Sequence, residues 1–288
     1  MNPEFSLIIP TYNRIDALRS CFKYLEKLHY PKNEYEVVLV DDGSQDATKD
    51  LTGNEADIPL RVIHQKNGGA AAARNTGIIA SRGRFCLFVD DDVMVHPDLL
   101  LEHHAAHVAQ PRYLVRGPVI NIPALPAPDS TPQLWKHFSM NYLCTSNASL
   151  SREFLFEAGL FDVNFPRWED AELAVRLKRI GVLRKFVLKA IVYHLKPPEP
   201  LEALIRTAKK DGLSAAALYQ RYPSFRMRLR SGIHPLNTIR NFLLTKGPLR
   251  SKIEQSAQGK GPFPKSMAES LLIEQAYLEA GLEQLRKK

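Results

Sequence analysis

Four short, largely apolar segments lie in the first 92 residues, and each of them stops at a polar or acidic cluster. They are rich in β-branched and aromatic residues, as buried strands are: residues 5–9, 35–40, 60–64 and 85–89. Between them, residues 15–28 and 70–80 have apolar or small side chains at helical spacing. Strands that alternate with helices indicate βαβ units. We therefore predict an α/β fold with a mostly parallel central sheet.

The clusters that follow these strands should meet at one edge of that sheet. They comprise Thr11, Tyr12 and Asn13 after the first strand, Asp41 and Asp42 after the second, and Asp90, Asp91 and Asp92 after the fourth. In open α/β sheets, ligands bind outside the carboxyl ends of the strands. We therefore expect these side chains to line one crevice.

Three consecutive aspartates at a strand end repel one another unless something compensates their charge. Carboxylate oxygens suit Mg²⁺ or Mn²⁺, and such ions typically bridge to phosphate oxygens as well. The sequence therefore predicts a divalent metal site at Asp90, Asp91 and Asp92. A solvated acidic turn is the alternative that the residues leave open.

Five motifs, taken together and in this order, resemble those of the family 2 inverting glycosyltransferases. They are residues 6–14 (SLIIPTYNR), 38–44 (VLVDDGS), 67–77 (NGGAAAARNTG), 88–92 (FVDDD) and a block between residues 146 and 170 that ends in WED. The resemblance covers about residues 4–195. It implies a GT-A fold, which is a nucleotide-binding α/β/α sandwich. It also implies a hexosyltransferase-like enzyme that uses Mn²⁺ or Mg²⁺ and transfers sugar from a nucleotide-diphosphate donor, typically UDP-linked, to a hydroxyl group.

The resemblance also implies roles for individual residues. Those near the nucleotide sugar would be Pro10, Thr11, Tyr12, Asp41, Gly69, Arg74, Asp90 and Asp91. Asp41 would accept a hydrogen bond from the base, whereas a structural salt bridge is an equal alternative for Arg74. Asp92 would ligate the metal and His194 would complete its shell, and an ordinary structural histidine is the alternative for His194.

Asp170 is the candidate catalytic base, because inverting transfer needs a carboxylate that takes the proton of the acceptor hydroxyl. Trp168 and Glu169 are the candidates for contact with acceptor or sugar. Ordinary packing of Trp168 and two acids that favour a helix N-terminus are the alternatives. We interpret the three histidines at positions 103, 104 and 107 as a mostly solvated helix surface, since no acid stands at HExxH spacing.

Two domains are predicted. Residues 1–198 form the glycosyltransferase domain, with a nucleotide-sugar half at 1–117 and an acceptor-side half at 118–198, and residues 199–288 form a basic helical extension. Helices are expected at about 199–222, 234–246 and 266–287. The five prolines within 118–132 predict a loop there.

The net charge of +8 comes from one region, because residues 203–252 contain eleven lysines and arginines and a single acid, Asp211. These cations are mixed with leucine, isoleucine, phenylalanine and tyrosine. Such a surface suits an anionic membrane, which fits a lipid-linked or cell-surface glycan precursor as acceptor. A basic face that is simply exposed to solvent is an equal alternative. No nucleic-acid partner is expected, because no binding module is recognised.

The remaining features bear on location and on the type of transfer. Three cysteines without a CxxC pair, together with no signal-peptide pattern and no spanning apolar run, predict a cytoplasmic protein. The basic region leaves open whether the protein is also peripheral on the cytoplasmic membrane face. The QxxRW signature of processive relatives is missing, which favours transfer of single residues. The alternative function is a catalytically degenerate GT-A domain that acts as a binding or scaffold protein through its basic C-terminal region.

Overall fold

A computed structural model describes residues 2–127, 133, 137, 141–165, 167–245 and 249–287. The chain divides into two compact units. The first comprises Met1–Val163 and Glu169–Pro197, and the second comprises Asn164–Trp168 and Pro198–Lys288. Within the described residues, none of the helices combines the length and the apolar character needed to cross a bilayer.

The first unit contains all the strands that the structure describes and five helices. Its elements are β1 (Phe5–Thr11), α1 (Ile15–Leu25), β2 (Tyr35–Asp41), a 3₁₀ turn (Ala47–Asp50), β3 (Leu60–His64), α2 (Ala70–Ala80), β4 (Phe85–Phe88), β5 (Val93–Val95), α3 (Leu99–Ala109), β6 (Tyr113–Arg116), β7 (Val119–Ile122), β8 (Ala148–Ser151), α4 (Arg152–Glu157), α5 (Glu169–Arg179), β9 (Leu183–Phe186) and β10 (Val192–Leu195).

The central sheet has seven strands in the order β3-β2-β1-β4-β8-β6-β9. Its strands are parallel except for β8, which is antiparallel to both β4 and β6. In this register Thr11 pairs with Asp41, and Ile8 pairs with Phe88. The residues that follow β1, β2 and β4 therefore leave the sheet at the same edge. The predicted α/β fold with a mostly parallel sheet is confirmed.

Both faces of this sheet are covered, because successive residues of a strand point to opposite sides. Phe5, Leu7 and Ile9 of β1 pack in one buried cluster with residues of α1 and α3. Ile8 packs on the other face with residues of α2, α4 and α5. The result is the three-layer α/β/α arrangement.

A second, three-stranded sheet has the order β5-β10-β7. Strand β10 is antiparallel to β5, and the backbone N–H of Leu195 donates to the carbonyl of Asp92 at 2.9 Å. This register brings the end of β10 to the acidic cluster. The loop predicted for 118–132 is wrong at 119–122, where the apolar residues of β7 form a strand parallel to β10. Residues 128–132 lie outside the described residues.

The histidines of α3 are also placed differently from our expectation. His103 and His107 are buried, and their ring nitrogens contact the hydroxyl of Ser149 at 2.6 and 2.7 Å. Burial lowers the pKa of His103 to about 4, so its ring is neutral at physiological pH. The interpretation as a mostly solvated surface is wrong, because these two positions share the helix face that packs on the sheet.

The second unit is helical. Its helices are α6 (Leu201–Arg221), α7 (Phe225–Arg230), α8 (Pro235–Thr245), α9 (Arg250–Ala257) and α10 (Lys265–Arg286). A Cβ on Gly212 would lie 2.1 Å from the carbonyl oxygen of Tyr277, so glycine permits the close approach of α6 and α10. The helical C-terminal region is confirmed, and α7 and α9 are helices that the spacing pattern missed.

Candidate active site

The acidic cluster after β4 is held by polar side chains from the β1 end of the sheet. The hydroxyl of Thr11 donates to Oδ2 of Asp91 at 2.8 Å, and Nη1 of Arg14 lies 3.3 Å from Oδ1 of Asp91. Burial raises the pKa of Asp91 to about 6, although Thr11 and Arg14 act in the opposite direction. The contacts with Thr11 and Arg14 hold the side chain of Asp91 in place.

Asp92 lies between two cationic or potentially cationic side chains. Nε2 of His194 lies 3.2 Å from Oδ1 of Asp92, and Arg14 donates to Oδ2. Burial opposes ionisation of Asp92, but His194 and Arg14 outweigh it and hold the pKa of Asp92 below its ordinary value. The hydrogen bond with Asp92 in turn raises the pKa of His194. The structure thus brings together the two residues that the sequence singled out as metal ligands.

These two side chains fit a hard divalent ion that takes most of its ligands from elsewhere. Within the described residues, no group of three or more histidine, cysteine, aspartate or glutamate side chains could hold a metal. Mg²⁺ is commonly held by one or two carboxylates together with substrate phosphates and water, and imidazole also serves Mn²⁺. The donor set of Asp92 and His194 fits such an ion when a diphosphate supplies further oxygens.

Arg74 joins the end of β4 to the start of α5. Its Nη2 lies 3.0 Å from Oδ1 of Asp90, and its Nη1 lies 2.7 Å from Oε1 of Glu169. The hydroxyl of Ser146 donates to the other oxygen of Asp90 at 2.6 Å. The guanidinium is buried, and this is the salt-bridge arrangement that the sequence left open for Arg74. Contact of Arg74 with the donor stays a prediction.

Asp170 follows Glu169 in the first turn of α5, which is the part of a helix where an acid is favoured. Burial and then the neighbouring charge of Glu169 raise the pKa of Asp170 to about 6, against the hydrogen bond from the Ala171 N–H and the charge of Arg74. The Ala171 N–H donates to Oδ1 at 2.6 Å. A carboxylate with this pKa can both hold and release a proton near neutral pH.

The end of β2 carries a buried carboxylate with two partners. Oδ1 of Asp41 accepts from the backbone N–H of Ser44 at 3.0 Å, and Oδ2 lies 2.9 Å from Nδ1 of His64. His64 has no predicted role, because it stands outside the five motifs. The available signal was its place at the last position of β3, since Asp41 pairs with His64 in the register of β2 and β3.

The glycine pair before α2 is organised by Asp42, which the sequence placed at the crevice without an individual role. Its two carboxylate oxygens accept from the backbone N–H groups of Gly68 and Gly69 at 2.9 and 2.8 Å. Gly69 precedes α2 with φ of +86°, a conformation that favours glycine. Pro10 is buried in β1 and Tyr12 is exposed beyond it.

Trp168 differs from the other predicted site residues because it belongs to the second unit. It packs there with the buried residues Ala215, Ala216 and Ile233, and its ring centroid lies 6.3 Å from that of Tyr277. Ordinary packing was the alternative role that the sequence allowed for Trp168. A role of Trp168 in binding sugar stays a prediction.

An α/β/α fold with an acidic cluster at the carboxyl ends of parallel strands is a nucleotide-binding architecture. The sequence profile of glycosyl transferase family 2 matches residues 6–156, which is more than half of the chain. The chain belongs to this family. The predicted family membership is therefore confirmed.

Curated relatives match over parts of their length. Chondroitin synthase of Escherichia coli is 27% identical over 268 residues, which is 76% of this chain and 38% of that protein. The first curated relatives are 39–42% identical over 94–101 residues, and these matches span 27–33% of their own length. Each of these matches therefore covers about a third or less of the relative.

Solved structures share the fold. The mannosyltransferase PcManGT from Pyrobaculum calidifontis, in complex with GDP-Man and Mn²⁺, has a TM-score of 0.69 and 18% identity, covering 100% of this chain and 88% of that one. S. aureus TarS 1-349 in complex with UDP-GlcNAc has a TM-score of 0.56 and 18% identity, covering 99% of this chain and 92% of that one. These similarities support the GT-A type of fold.

Proposed function

We propose that this protein is a metal-dependent inverting glycosyltransferase that moves one sugar residue from a UDP-sugar to a hydroxyl group of an acceptor. The observation that carries the proposal is the grouping at one edge of the first unit. Asp92 lies there beside His194, Asp90 is joined through Arg74 to Glu169, and Asp170 next to Glu169 has a pKa of about 6. Acidic metal ligands and a separate carboxylate base are what such a transfer requires.

Asp41, Thr11 and Tyr12 would bind the nucleoside, with Pro10 and Gly69 beside it. Both oxygens of Asp41 already have one partner, which favours a base that offers a single N–H, as uracil does at N3. Guanine offers two adjacent donors, which suit a carboxylate with both oxygens available. Asp90 and Asp91 would lie near the ribose and the donor sugar. The TarS complex holds UDP-GlcNAc and the PcManGT complex holds GDP-Man, so the proposal of a UDP-linked donor depends on Asp41.

Asp92 and His194 would hold Mn²⁺ or Mg²⁺, which would stabilise the negative charge that builds on the departing diphosphate. The PcManGT complex contains Mn²⁺ and supports a divalent ion here. The imidazole of His194 must be neutral, with one ring nitrogen free of a proton, before it can bind a metal. Arg14 keeps the charge of Asp91 and Asp92 compensated when no metal is bound.

Asp170 would accept the proton from the acceptor hydroxyl as its oxygen attacks the anomeric carbon. The oxygen forms the new bond on the face opposite the departing diphosphate, so the anomeric configuration inverts. The proton ends on the carboxylate of Asp170, which returns it to solvent afterwards. Glu169 would help to position Asp170 and the acceptor, since it is itself fixed by Arg74.

The acceptor would be a lipid-linked or cell-surface glycan precursor, and Trp168 would contact its sugar. The support is chemical: a hydroxyl is the group that a carboxylate base such as Asp170 can activate. The exposed cations of the second unit are compatible with an acceptor carried on an anionic lipid surface.

The first experiment is a calorimetric comparison of UDP, GDP, dTDP and their sugar conjugates, with and without Mn²⁺. We expect tight binding of one UDP-sugar only when Mn²⁺ is present. Asp92→Asn should lose the effect of Mn²⁺ on binding. Glu157→Gln, an exposed acid on α4, is the matched control and should bind as the wild type does.

Asp170→Asn then separates binding from chemistry. We expect it to bind the same donor with unchanged affinity and to lose transfer by about 10²- to 10⁴-fold. Normal transfer by Asp170→Asn would remove Asp170 as the base. If the folded chain binds none of the nucleotides, the enzyme proposal fails and the degenerate binding domain takes its place.

A further inference from the structure

Helix α8, in the second unit, has four large apolar residues on the outside. Leu236, Ile239, Phe242 and Leu243 are 73, 57, 58 and 62% exposed. At 100° per residue these four positions cover about 120° of the helix surface, so they form one continuous stripe. Isolated exposed apolar residues are ordinary, whereas a contiguous stripe on one helix marks a surface that binds something.

Polar residues on the other side of α8 contact the rest of the unit. Asn241 is buried, and the side chain of Asn237 donates to the carbonyl of Gly232 at 3.1 Å. The hydroxyl of Thr238 donates to the carbonyl of His234 at 3.2 Å. The amphipathic pattern is thus inverted relative to a helix that covers a core. Rotation of the helix would bury the apolar stripe, but it would expose the hydrogen-bonded polar face instead.

The orientation of α8 is fixed by its surroundings. The helix packs against α10, and Arg240 on its rim forms an ion pair with Glu274 of α10. The turn before it is anchored, because Ile233 is buried and the hydroxyl of Tyr277 donates to the carbonyl of Ser231. The stripe is therefore a stable feature of the surface of this unit.

The charge of the segments next to α8 in the sequence indicates what covers the stripe. Between residues 212 and 253 the sequence has eight lysines and arginines and no aspartate or glutamate. Arg226, Arg228 and Arg230 of α7 are exposed, and within the described part of the chain no acid pairs with them. Residue 230 is five residues before the start of α8, so its backbone lies within about 18 Å of that helix.

A second copy of this chain is a poor match for this surface. Most oligomers use two-fold symmetry, which would bring the same cationic segments of two copies together. A bilayer with anionic lipids offers both complements at once, namely acyl chains for the stripe and negative headgroups for the arginines.

We propose that α8 lies in the interface of an anionic membrane, with Leu236, Ile239, Phe242 and Leu243 inserted among the acyl chains and the arginines of α7 at the headgroups. Exposed phenylalanine and leucine beside arginine are the residues that interfacial helices use. The inference concerns a partner of the second unit and does not rest on the proposed transfer activity. Membrane binding can be measured without a sugar nucleotide.

The test is co-sedimentation of the full chain with vesicles of phosphatidylcholine, with or without about 30% phosphatidylglycerol. We expect binding to the anionic vesicles only, and we expect added salt to weaken it. The double variant Leu236→Gln/Phe242→Gln should bind at least about tenfold more weakly. Arg228→Gln/Arg230→Gln should lose about ten- to thirtyfold.

The matched control is Ile79→Gln/Val108→Gln, which removes two equally exposed apolar residues of the first unit. It should bind as the wild type does. All of these positions are exposed, so each variant should unfold thermally near the wild-type temperature. Absence of binding to anionic vesicles overturns the proposal, and so does undiminished binding by Leu236→Gln/Phe242→Gln.

A second readout reports insertion itself. Trp135 and Trp168 already contribute to the emission, so each variant is compared with the wild type. The emission that Phe242→Trp adds should shift to the blue and be quenched by brominated acyl chains, whereas the emission that Val108→Trp adds should show neither change. Sedimentation velocity tests the competing occupant. A wild-type dimer that Leu236→Gln/Phe242→Gln converts to a monomer would show that a second copy covers the stripe, and it would overturn the membrane assignment.

Discussion

The imidazole of His64 bridges the carboxylate of Asp41 and the backbone of the segment before β3. Its Nδ1 lies 2.9 Å from Oδ2 of Asp41, and its Nε2 lies 3.0 Å from the carbonyl oxygen of Leu51. An ionised carboxylate and a carbonyl can only accept hydrogen bonds. Both ring nitrogens must therefore carry protons for both bonds to form, and the hydrogen bond with Asp41 raises the pKa of His64 accordingly.

We expect His64→Gln to lower the free energy of unfolding most below pH 6.5. The folded-state pKa of His64 is raised, so its contribution is complete below the unfolded pKa of about 6.5 and is lost as the pH rises through the folded value. The ring is partly exposed, so the loss should be about 0.5–1 kcal/mol. Urea unfolding at pH 5.5, 7 and 9 measures it, with His234→Gln as control. A difference that is constant across this range would contradict the prediction.

The rate of transfer should fall as the pH drops below about 6. Burial raises the pKa of Asp170 to about 6, and its protonated form cannot accept the proton of the acceptor. The dependence of kcat/KM on pH between 5 and 8 measures this. Donor affinity, determined by calorimetry at the same pH values, separates loss of the base from loss of binding. A rate that stays level down to pH 5, with the donor bound, would remove Asp170 as the base.

Asp170→Asn should stabilise the fold at neutral pH. The folded pKa of about 6 lies above the unfolded value of about 3.9, so the native state binds the proton more tightly. Ionisation of Asp170 therefore costs stability as the pH rises from about 4 to 6, and asparagine avoids this cost. We expect a gain of about 1–3 kcal/mol at pH 7.5 that disappears near pH 4. Chemical unfolding at these two pH values checks it, and a gain that persists at pH 4 would contradict it.

The sequence predicted the sheet and the edge where the acids meet, because both follow from local pattern. Apolar runs define strands, and parallel strands end at one edge. The contacts of Arg14 and Ser146 with the aspartates depend on loops whose path no local pattern encodes. His64 could have been found only by pairing the ends of β2 and β3, which requires the register.

The burial of His103 and His107 had a different cause. The sequence interpretation depended on the missing acid at HExxH spacing, but their face of α3 packs on the sheet, where the hydroxyl of Ser149 contacts one nitrogen of each ring. If polar residues were assumed to face the solvent in α8, the predicted orientation of this helix would be the reverse of the observed one. Both cases show tertiary packing overriding the polarity of a local sequence.

Arg74→Met should destabilise the first unit. The substitution leaves Asp90 and Glu169 without the cation that both of them contact, and unpaired charge in a largely buried place costs about 3 kcal/mol. Adding Glu169→Gln should restore part of the loss, because one of the two unpaired charges is then gone. Unfolding of the single and double variants in urea measures this coupling. If the double variant loses the sum of the two single effects, Arg74 does not act through Glu169.

Gly77→Ala should loosen the packing of α2 on the sheet. A Cβ at Gly77 would lie 2.5 Å from Cγ2 of Ile8 and 3.4 Å from Cγ2 of Val40, so either the helix or the branched side chains of β1 and β2 must shift. Overpacking of this kind costs about 1–3 kcal/mol, more than alanine gains in helix propensity. Chemical unfolding measures the loss, with Ile79→Ala on the exposed face of α2 as the control. Because α2 also carries Arg74, we expect donor affinity to fall in parallel, and a variant as stable as the wild type would show that the helix can move away from Ile8 at little cost.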